Sequence, residues 1–539
     1  MLRVLSSLLG LVLFVSTSFA STVLTASSLA EDSSLGLGVV FPSEASFLVG
    51  DVGDEFFIGG VKRGSESQIK SDRNYALTPQ AKAIYNRILT MELDGAQSDL
   101  DEFRKRYPTN LVAEHLESYL DFFRLYLNGD EAIDERLSAR FDRRIGALED
   151  GEERSPYYRY VLAEARLHRS LIHLRFERHL SAFRELNKAH KLLRDNANAF
   201  PDFLPTYKDL GLLHAAVGSI PPQYKWGVEL FSSLSGTIAE GREEIGRALS
   251  DKDNPFLLET QVLSAFLELH LAGEPEAAFK QINSLGLTPK TNALHCFILA
   301  NLAMRSGRND IALRTLENQP RGGAAEDFPY LDFMLGLAKL RILDPSARLY
   351  FHSFNVRYAG RHFKEEARQK IAWAHLLDGN KAGYHKAMAG IGGGSQAGGD
   401  QNAEMEAARQ RAPHPDLLRA RLLFDGNYCT RARTQLEKID ITTLNENERL
   451  EYYYRTGRVL DGLDDYEGAL SFYLQTVRTG RDNPAFYACK SALQAGLIEE
   501  KRGNRSLARK HFTDCLDISP AAYKTGLHIL AKSGLDRVL

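Results

Sequence analysis

The chain has 539 residues, of which 44% are hydrophobic, and its formal net charge at pH 7 is -3. This hydrophobic content excludes a disordered chain, and the balanced charge gives no general attraction to nucleic acid or anionic lipid. The length exceeds what one compact core accommodates, whereas a solenoid avoids that limit because each layer contacts only its neighbours.

The first 20 residues are predicted to be a secretory signal peptide. Arg3 precedes an apolar run over residues 4–15, Ser18-Phe19-Ala20 follows, and no acidic residue occurs before Glu31. This pattern predicts cleavage after Ala20. The apolar run is shorter than the roughly 20 residues that span a bilayer, so an uncleaved anchor is a weaker alternative, as is a mitochondrial presequence. We therefore expect an exported protein of the bacterial periplasm or cell envelope, with no membrane span after cleavage.

Residues 21–77 are predicted to form an extended or partly disordered leader. Short apolar runs alternate there with Gly, Ser and Asp, without the spacing of an amphipathic helix. Regular helices are predicted from residue 78, where signals that combine a capping side chain with proline begin to recur. These signals are Thr78-Pro79, Ser155-Pro156 and Asn254-Pro255. We expect a helical-repeat region over residues 78–290 and no strands after Leu77.

Two interior segments carry more sequence character than helical periodicity explains. In residues 201–249, a glycine followed by paired prolines ends one helix and redirects the next. The marked residues of this segment are Asp209, Gly211, Gly218, Pro221, Pro222, Trp226 and Gly241. In residues 358–388, one apolar helical face is closed by a glycine. The residues of that face and its glycine are Ala367, Ile371, Ala374, Leu377 and Gly379.

The C-terminal half, residues 291–539, carries a repeating pattern of small and aromatic residues. Its last copy consists of Gly496, Gly503, Ala508, Phe512 and Pro520, and an earlier copy contains Gly457, Ala469 and Tyr473. Small residues allow two helices to approach closely, while Tyr473 and Phe512 fill the groove beside them. This is the tetratricopeptide pattern, which predicts an all-α solenoid of about eleven to fourteen stacked antiparallel helical hairpins.

Several features that resemble chemical sites have simpler interpretations. The glycine cluster in residues 390–400 has no preceding strand and no following Lys-Ser/Thr, so a loop is predicted there and not a phosphate cradle. Four histidines, His168, His173, His179 and His190, are spaced unlike a metal motif and are expected to be packed or solvated imidazoles. Arginines in residues 140–144 are expected on a solvated helix face. No catalytic residue, metal or cofactor is therefore predicted.

The four cysteines are scattered, without metal-type spacing. Cys296, Cys429, Cys489 and Cys515 each fall at an apolar position of a helical hairpin. Buried free thiols are therefore expected. A disulfide between Cys489 and Cys515 is the alternative, although the two residues lie at opposite ends of the repeat pattern.

The two interior segments resemble the tetratricopeptide repeat protein 39 family, which is related to a yeast inclusion-body clearance protein. The residues that carry the resemblance are Gly218, Pro221, Glu366, Ala367, Trp373, Gly379 and Tyr384, with Lys364 one residue early. The resemblance covers residues 78–520 and implies a helical-repeat fold without catalytic residues. Familiar members are intracellular, so the signal peptide suggests an exported bacterial branch.

The repeat register predicts which residues line the concave groove, because that surface is formed by the first helix of each hairpin. The predicted partner-binding residues are Phe297, Asn301, Arg305, Tyr454, Arg458, Lys490, Leu493, Glu500 and Lys501. Mixed basic and aromatic residues are typical of surfaces that bind an extended peptide. The lysine and asparagine arrangement that clamps a C-terminal carboxylate in chaperone-binding repeats is incomplete here.

Three functions remain open from the sequence. The first is a non-catalytic envelope scaffold that binds a protein or peptide partner in its groove, with no nucleic-acid partner. The second is a small-ligand-binding protein or enzyme with a site among the middle helices near Trp226 and His214. The third is an oligomerising structural element.

Overall fold

A computed structural model of the protein describes residues 73–220, 234–322, 328–395 and 397–539. Across these ranges the chain is all-α, with 24 helices and one short 3₁₀ turn. No strand forms in these ranges, and a single isolated bridge joins Asn74 to Asn110. The predicted signal peptide, most of the predicted leader and Trp226 lie outside the described residues.

The helices of the first half are numbered in chain order. They are α1 (Pro79–Leu89), α2 (Leu93–Arg106), α3 (Val112–Asn128), α4 (Glu131–Glu149), α5 (Pro156–Arg175), α6 (His179–Ala199), α7 (Thr206–Gly218), α8 (Ile238–Ser250), α9 (Leu257–His270), α10 (Pro275–Asn283), α11 (Ala293–Arg305) and α12 (Asn309–Glu317).

The described residues of the second half form twelve more helices. They are α13 (Tyr330–Leu340), α14 (Ala347–Arg357), α15 (Lys364–Leu377), α16 (Lys381–Met388), α17 (Gly398–Ala408), α18 (Pro415–Asp425), α19 (Cys429–Leu436), α20 (Glu446–Asp461), α21 (Tyr466–Gly480), α22 (Tyr487–Lys501), α23 (Arg505–Asp517) and α24 (Lys524–Val538).

Consecutive helices pack as hairpins, from α1 with α2 through α22 with α23. Two helices stand outside this scheme: α17 packs on α15, and α24 covers α22 and α23 at the end of the stack. The remaining 22 of the 24 helices form eleven hairpins. The predicted all-α, tetratricopeptide-type solenoid is confirmed, because each hairpin leaves an apolar face that only the next one buries.

The small residues of the repeat pattern set the spacing inside the hairpins. A Cβ atom on Gly457 would lie 2.7 Å from the ring of Tyr473, and one on Gly496 would lie 2.5 Å from the ring of Phe512. Both rings are fully buried. Any larger residue at either glycine would push the aromatic ring out of the groove, which is why the pattern is readable in the sequence.

Two of the three predicted helix starts are observed. The side chains of Thr78 and Ser155 accept hydrogen bonds from the backbone amides of Ala81 and Tyr157, and a proline follows each cap. The third expectation was wrong, because α9 begins at Leu257. Asn254 instead closes a turn by accepting a hydrogen bond from the Phe256 amide at 3.0 Å.

Two local predictions also need correction. The glycine-rich loop is shorter than residues 390–400, because Gly398 begins α17 and Asp400 accepts hydrogen bonds from the buried backbone amides of Phe363 and Glu366 at the start of α15. Arg144 does not lie on a solvated face, since it is 3% exposed and pairs with Glu117 and Asp121 of α3. Opposite charges on the neighbouring helix draw it inward.

Several hydrogen bonds join distant hairpins across the inner side of the solenoid. Tyr85 of α1 reaches Glu259 of α9, and the Asn292 side chain before α11 donates to the Leu89 carbonyl oxygen at 3.2 Å. Further along, His362 contacts the carbonyl oxygen of Arg175 at 2.7 Å. The first helices of successive hairpins therefore face an interior that is partly filled. None of the helices in the described ranges is long and apolar enough to cross a membrane.

Candidate functional site

A cavity lies inside the solenoid, between the first helices of five consecutive hairpins: α3, α5, α7, α9 and α11. The volume of this cavity is about 80 Å³, which leaves room for several water molecules or for part of an organic ligand. Most of its wall is apolar, including Leu89, Phe122, Leu167, Val262, Leu263 and Ile298. Three carboxyl groups interrupt that wall: Glu164, Asp209 and Glu259.

Lys208 is the cation that joins these three carboxyl groups. Its Nζ lies 2.6 Å from Glu164 Oε1, 3.0 Å from Asp209 Oδ1 and 3.0 Å from Glu259 Oε1. The Lys208 side chain is 1% exposed. Moving an ammonium group from water into the protein interior costs several kcal/mol. The three hydrogen bonds to carboxyl oxygens offset this cost for Lys208.

The carboxyl groups beside Lys208 have opposite pKa shifts. Burial raises the pKa of Asp209, and although Lys208 opposes this, Glu164 adds to it, so that the pKa reaches about 8. Burial would also raise the pKa of Glu164, but Lys208 and His115 hold it well below its ordinary value. At neutral pH the cluster therefore contains an ionised Glu164 and a largely protonated Asp209.

Two tyrosines complete the coordination of the carboxylates. Tyr85 Oη donates to Glu259 Oε2 at 2.6 Å, and Tyr119 Oη lies 3.0 Å from both Glu259 Oε2 and Glu164 Oε1. Burial raises the pKa of both phenols, and the nearby carboxylates raise it further. The tyrosines therefore keep their protons and act as donors.

Two histidines, His115 of α3 and His168 of α5, also form hydrogen bonds within the cluster. His115 Nε2 contacts Glu164 Oε2, and His168 Nδ1 lies 2.9 Å from Ser118 Oγ. Burial lowers the pKa of His168 to about 3, so this imidazole is neutral at physiological pH. His168 is thus a packed imidazole, as predicted. The four histidines noted in the sequence divide between α5 and α6.

One polar atom facing the cavity is left without a partner. Asp209 is 4% exposed and lines the cavity, and its Oδ2 makes no hydrogen bond within the described part of the chain. A buried polar group without a partner costs about 1–3 kcal/mol, so it is retained where it serves a purpose. A protonated carboxyl group keeps acceptor lone pairs, so Asp209 Oδ2 can accept a hydrogen bond from an N–H donor in the cavity.

Asp209→Asn is expected to flatten the pH dependence of stability. The folded protein raises the pKa of this carboxyl from 3.8 to about 8 and keeps a proton that the unfolded chain releases, so Asp209 makes stability fall as pH rises across that window. Asn resembles the protonated form. We expect the variant to be more stable than the wild type at about pH 9, measured by urea unfolding.

The control for this prediction is Asp202→Asn, because Asp202 is exposed just before the same helix. It should leave the pH profile of the wild type unchanged. Equal slopes for Asp209→Asn and the wild type between about pH 5 and pH 9 would contradict a buried, protonated Asp209.

The nine residues predicted to line the groove do not form one surface. Five of them are buried: Phe297, Asn301, Tyr454, Arg458 and Leu493. Neighbouring hairpins cover them; Phe297, for example, packs on the ring of Phe328 with centroids 5.3 Å apart. Their side chains are therefore not presented to an extended peptide, because adjacent first helices pack on each other along the inner layer.

The other four predicted residues are accessible to different degrees. Arg305, Lys490 and Glu500 are half-buried, and Lys501 is exposed. Glu500 pairs with Arg537 of α24 at 2.6 Å. A role for these four in partner binding stays a prediction. Reversing the charge of Arg458 would test folding more than binding, since its guanidinium lies 5.0 Å from the Phe424 ring centre in a buried position.

The sequence analysis missed Lys208 and its carboxylate partners. A signal was present, because α7 is apolar around nearly its whole circumference and yet contains Lys208 and Asp209 side by side. Charged residues in a fully buried helix are rarely found unpaired. The site expected near Trp226 cannot be located, because Trp226 lies outside the described residues, and His214 points away from the cavity toward α8.

In the second interior segment, residues 358–388, two aromatic side chains donate hydrogen bonds to the same carboxylate. Trp373 Nε1 and Tyr384 Oη both donate to Glu406 Oε1, each at 2.9 Å. Gly379 ends α15 with φ of +74°. This segment therefore anchors the extra helix α17 to the hairpin of α15 and α16, which is a structural role.

All four cysteines are free and buried, as predicted. The two sulfurs of Cys489 and Cys515 nevertheless lie 3.5 Å apart. The sequence analysis placed the two cysteines far apart because they lie at opposite ends of the repeat pattern. This expectation was wrong, because an antiparallel hairpin brings the start of α22 next to the end of α23. Their mutual hydrogen bond and burial raise the pKa of Cys515.

No protein-family model matches the chain, and no protein with a curated description matches its sequence. Among solved structures, the human IFIT1 dimer with PPP-AAAA is 13% identical with a TM-score of 0.32, covering 89% of this chain and 95% of that chain. A Rap protein complexed with competence and sporulation factor is 12% identical with a TM-score of 0.28, covering 77% and 98%.

Yeast Tom70 is a third similar structure, 10% identical with a TM-score of 0.26, covering 85% of this chain and 88% of that chain. Because these similarities are low, the assignment of a tetratricopeptide-like fold rests on the eleven hairpins and their glycine and aromatic register.

Proposed function

We propose that this protein is a non-catalytic binding scaffold of the cell envelope, and that it holds its ligand in the charged cavity rather than along an open groove. The observation that carries this proposal is Asp209 Oδ2, a buried polar atom without a partner in the wall of an apolar cavity. The burial of Phe297, Tyr454 and Leu493 argues against an extended peptide along the inner helices.

The charges around the cavity favour an organic ammonium ion with an apolar body. Three carboxyl groups line the cavity, and the single ammonium of Lys208 partners all of them. An anionic ligand would meet the ionised Glu164, whereas an ammonium group could pair with the acid excess and place its apolar part against Phe122 and Val262. The ammonium group can belong to a free amine or to a lysine of a partner protein.

The test compares two probes of equal length and opposite charge. We expect n-hexylammonium to bind the mature protein in titration calorimetry and n-hexanoate not to bind. Glu259→Gln should weaken binding of the amine about tenfold or more, since it removes a charged partner. The matched control is Glu276→Gln, because Glu276 is 75% exposed on the outer helix α10. An acetylated peptide with one lysine distinguishes the two sources of the ammonium group.

Equal affinity of the two probes would reject the ammonium preference. Failure of both probes and of the lysine peptide to bind would reject the cavity as the binding site. Equal loss in Glu259→Gln and Glu276→Gln would mean that the amine binds the acidic surface without using the cavity.

Export to the cell envelope is a further part of the proposal. It is supported by Arg3, the apolar run over residues 4–15 and the small residues before Ser21. Intact mass of protein from the native envelope should correspond to a chain that starts at Ser21. A chain that retains residues 1–20 or remains in the cytoplasm would contradict this part alone.

A catalytic role is the second candidate, because one observation favours it. Environments that push the pKa values of two neighbouring carboxyl groups apart are typical of acid and base pairs, and Glu164 and Asp209 form such a pair beside Lys208. In that case Asp209 would be the general acid. Incubation with the bound amine distinguishes the two candidates, since a scaffold returns it chemically unchanged.

A relation to the tetratricopeptide repeat protein 39 family is proposed only as an origin for the fold. Its support is the order of the two sequence signatures around Gly218 and Trp373. The clustering of Trp373 and Tyr384 on Glu406 gives one of these signatures a structural reason. A sequence alignment of exported relatives that lacked both signatures would remove this link.

A further inference from the structure

The hairpin of α7 and α8 is packed unusually closely, through glycine. A Cβ atom on Gly241 would lie 2.3 Å from the Gly211 carbonyl oxygen, and one on Gly236 would lie 2.5 Å from the Cα of His214. A Cβ on Gly218 would lie 2.5 Å from the amide nitrogen of Ile238. The two backbones are therefore in direct contact, so side chains one turn away are held at fixed positions.

Three potential metal ligands lie one turn from this contact. His214 Nδ1 is 2.7 Å from Glu244 Oε2 and 3.5 Å from Glu240 Oε1. The three ligand atoms lie within 4.8 Å of one another. Glu240 and Glu244 are one helical turn apart on α8 and present both carboxylates to the same imidazole.

A second histidine supports His214 from behind. His190 Nε2 of α6 lies 3.3 Å from His214 Nε2, on the side of the ring opposite the carboxylates. A histidine that binds a metal through one ring nitrogen commonly donates a hydrogen bond from the other. His190 Nε2 is placed to accept this hydrogen bond from His214 Nε2.

We propose that His214, Glu240 and Glu244 bind a divalent transition-metal ion, with Zn²⁺ as the best fit. One imidazole nitrogen and two carboxylate oxygens form a ligand set that Zn²⁺ accepts, and a fourth position remains for water or a ligand. Glu240 is 49% exposed at its side chain, which gives the ion access from solvent. The proposal gives a reason for Gly211, Gly218 and Gly241 in the first interior segment, because these glycines allow the close approach of α7 and α8 that positions the three ligands.

The alternative is a purely structural cluster, in which the Nδ1–H group of His214 donates a hydrogen bond to Glu244. The two arrangements differ in their response to added metal, because only the proposed site exchanges that proton for Zn²⁺. The site is spatially separate from the cavity, since none of its three ligands lines the cavity.

The test is titration of the mature, chelator-treated protein with Zn²⁺ at neutral pH. We expect one equivalent to bind and His214→Asn or Glu244→Gln to weaken binding by at least about tenfold. Glu243→Gln is the matched control, because Glu243 is exposed and adjacent on α8 but outside the trio. His190→Gln should weaken binding about 10–100-fold while the stoichiometry remains one.

At one fixed Zn²⁺ concentration, the metal should also raise the unfolding temperature of the wild type and of Glu243→Gln by similar amounts, and that of Glu244→Gln by less. Circular dichroism without metal would verify that all variants fold. Equal Zn²⁺ affinity in Glu244→Gln and Glu243→Gln would overturn the proposal, and so would the absence of Zn²⁺ binding to a folded wild type.

Discussion

Lys208→Met is expected to lower the free energy of unfolding by about 3–5 kcal/mol, because it leaves buried carboxylates without their cation. Lys208 is 1% exposed and pairs with Glu164, Asp209 and Glu259, which come from three different helices. Methionine has a similar volume, so the loss would come from charge and not from an empty space. Urea unfolding monitored by circular dichroism would measure it.

The control is Lys188→Met, which removes an exposed lysine from a surface pair with Glu185. The Lys188 side chain is 57% exposed, so this change should cost less than about 1 kcal/mol. If Lys208→Met is as mild as Lys188→Met, Lys208 does not hold the cluster together. Because a solenoid can unfold in parts, hydrogen exchange in α5, α7 and α9 should show where the loss is localised.

Gly241→Ala is expected to destabilise the protein by about 1–3 kcal/mol, although alanine is the better helix former. Its Cβ would lie 2.3 Å from the Gly211 carbonyl oxygen and 2.6 Å from the Ala215 Cβ. Neither of these atoms belongs to a flexible side chain, so α7 and α8 would have to separate. Thermal or urea unfolding measures the effect.

Gly246→Ala provides the comparison within the same helix. A Cβ at Gly246 would have no atom within 4 Å, so the substitution should stabilise the protein by about 0.5–1 kcal/mol through reduced chain entropy. Opposite signs for the two substitutions would establish that backbone contact, and not helix propensity, is limiting at Gly241. Stabilisation by both would disprove the close packing of α7 and α8.

The charged cavity and the proposed metal site depend on one short helix. On α7, Asp209 lines the cavity and Lys208 bonds to the cavity-lining carboxylate of Glu164, while His214 faces α8. Helix α7 is buried almost throughout. A change that shifts α7 would therefore affect both sites, so Glu259→Gln on α9 and Glu244→Gln on α8 are the variants that test each site without altering α7.

Local patterns in the sequence were sufficient for the fold. The spacing of Gly457 with Tyr473 and of Gly496 with Phe512 lies within single hairpins, where helix geometry alone determines which residues meet. The caps at Thr78 and Ser155 are equally local. Asn254 showed the limit of such signals, because an asparagine before proline closes a turn as readily as it caps a helix.

The sequence by itself determined the all-α class, the hairpin repeat and the burial of the cysteines, since each follows from residues close together in the chain. Only the tertiary structure decided which inner residues meet. Lys208 and Glu164 are 44 residues apart, and Tyr85 and Glu259 are 174 residues apart. Their contact depends on the small rotation between successive hairpins, summed over several repeats, and no local pattern encodes that sum.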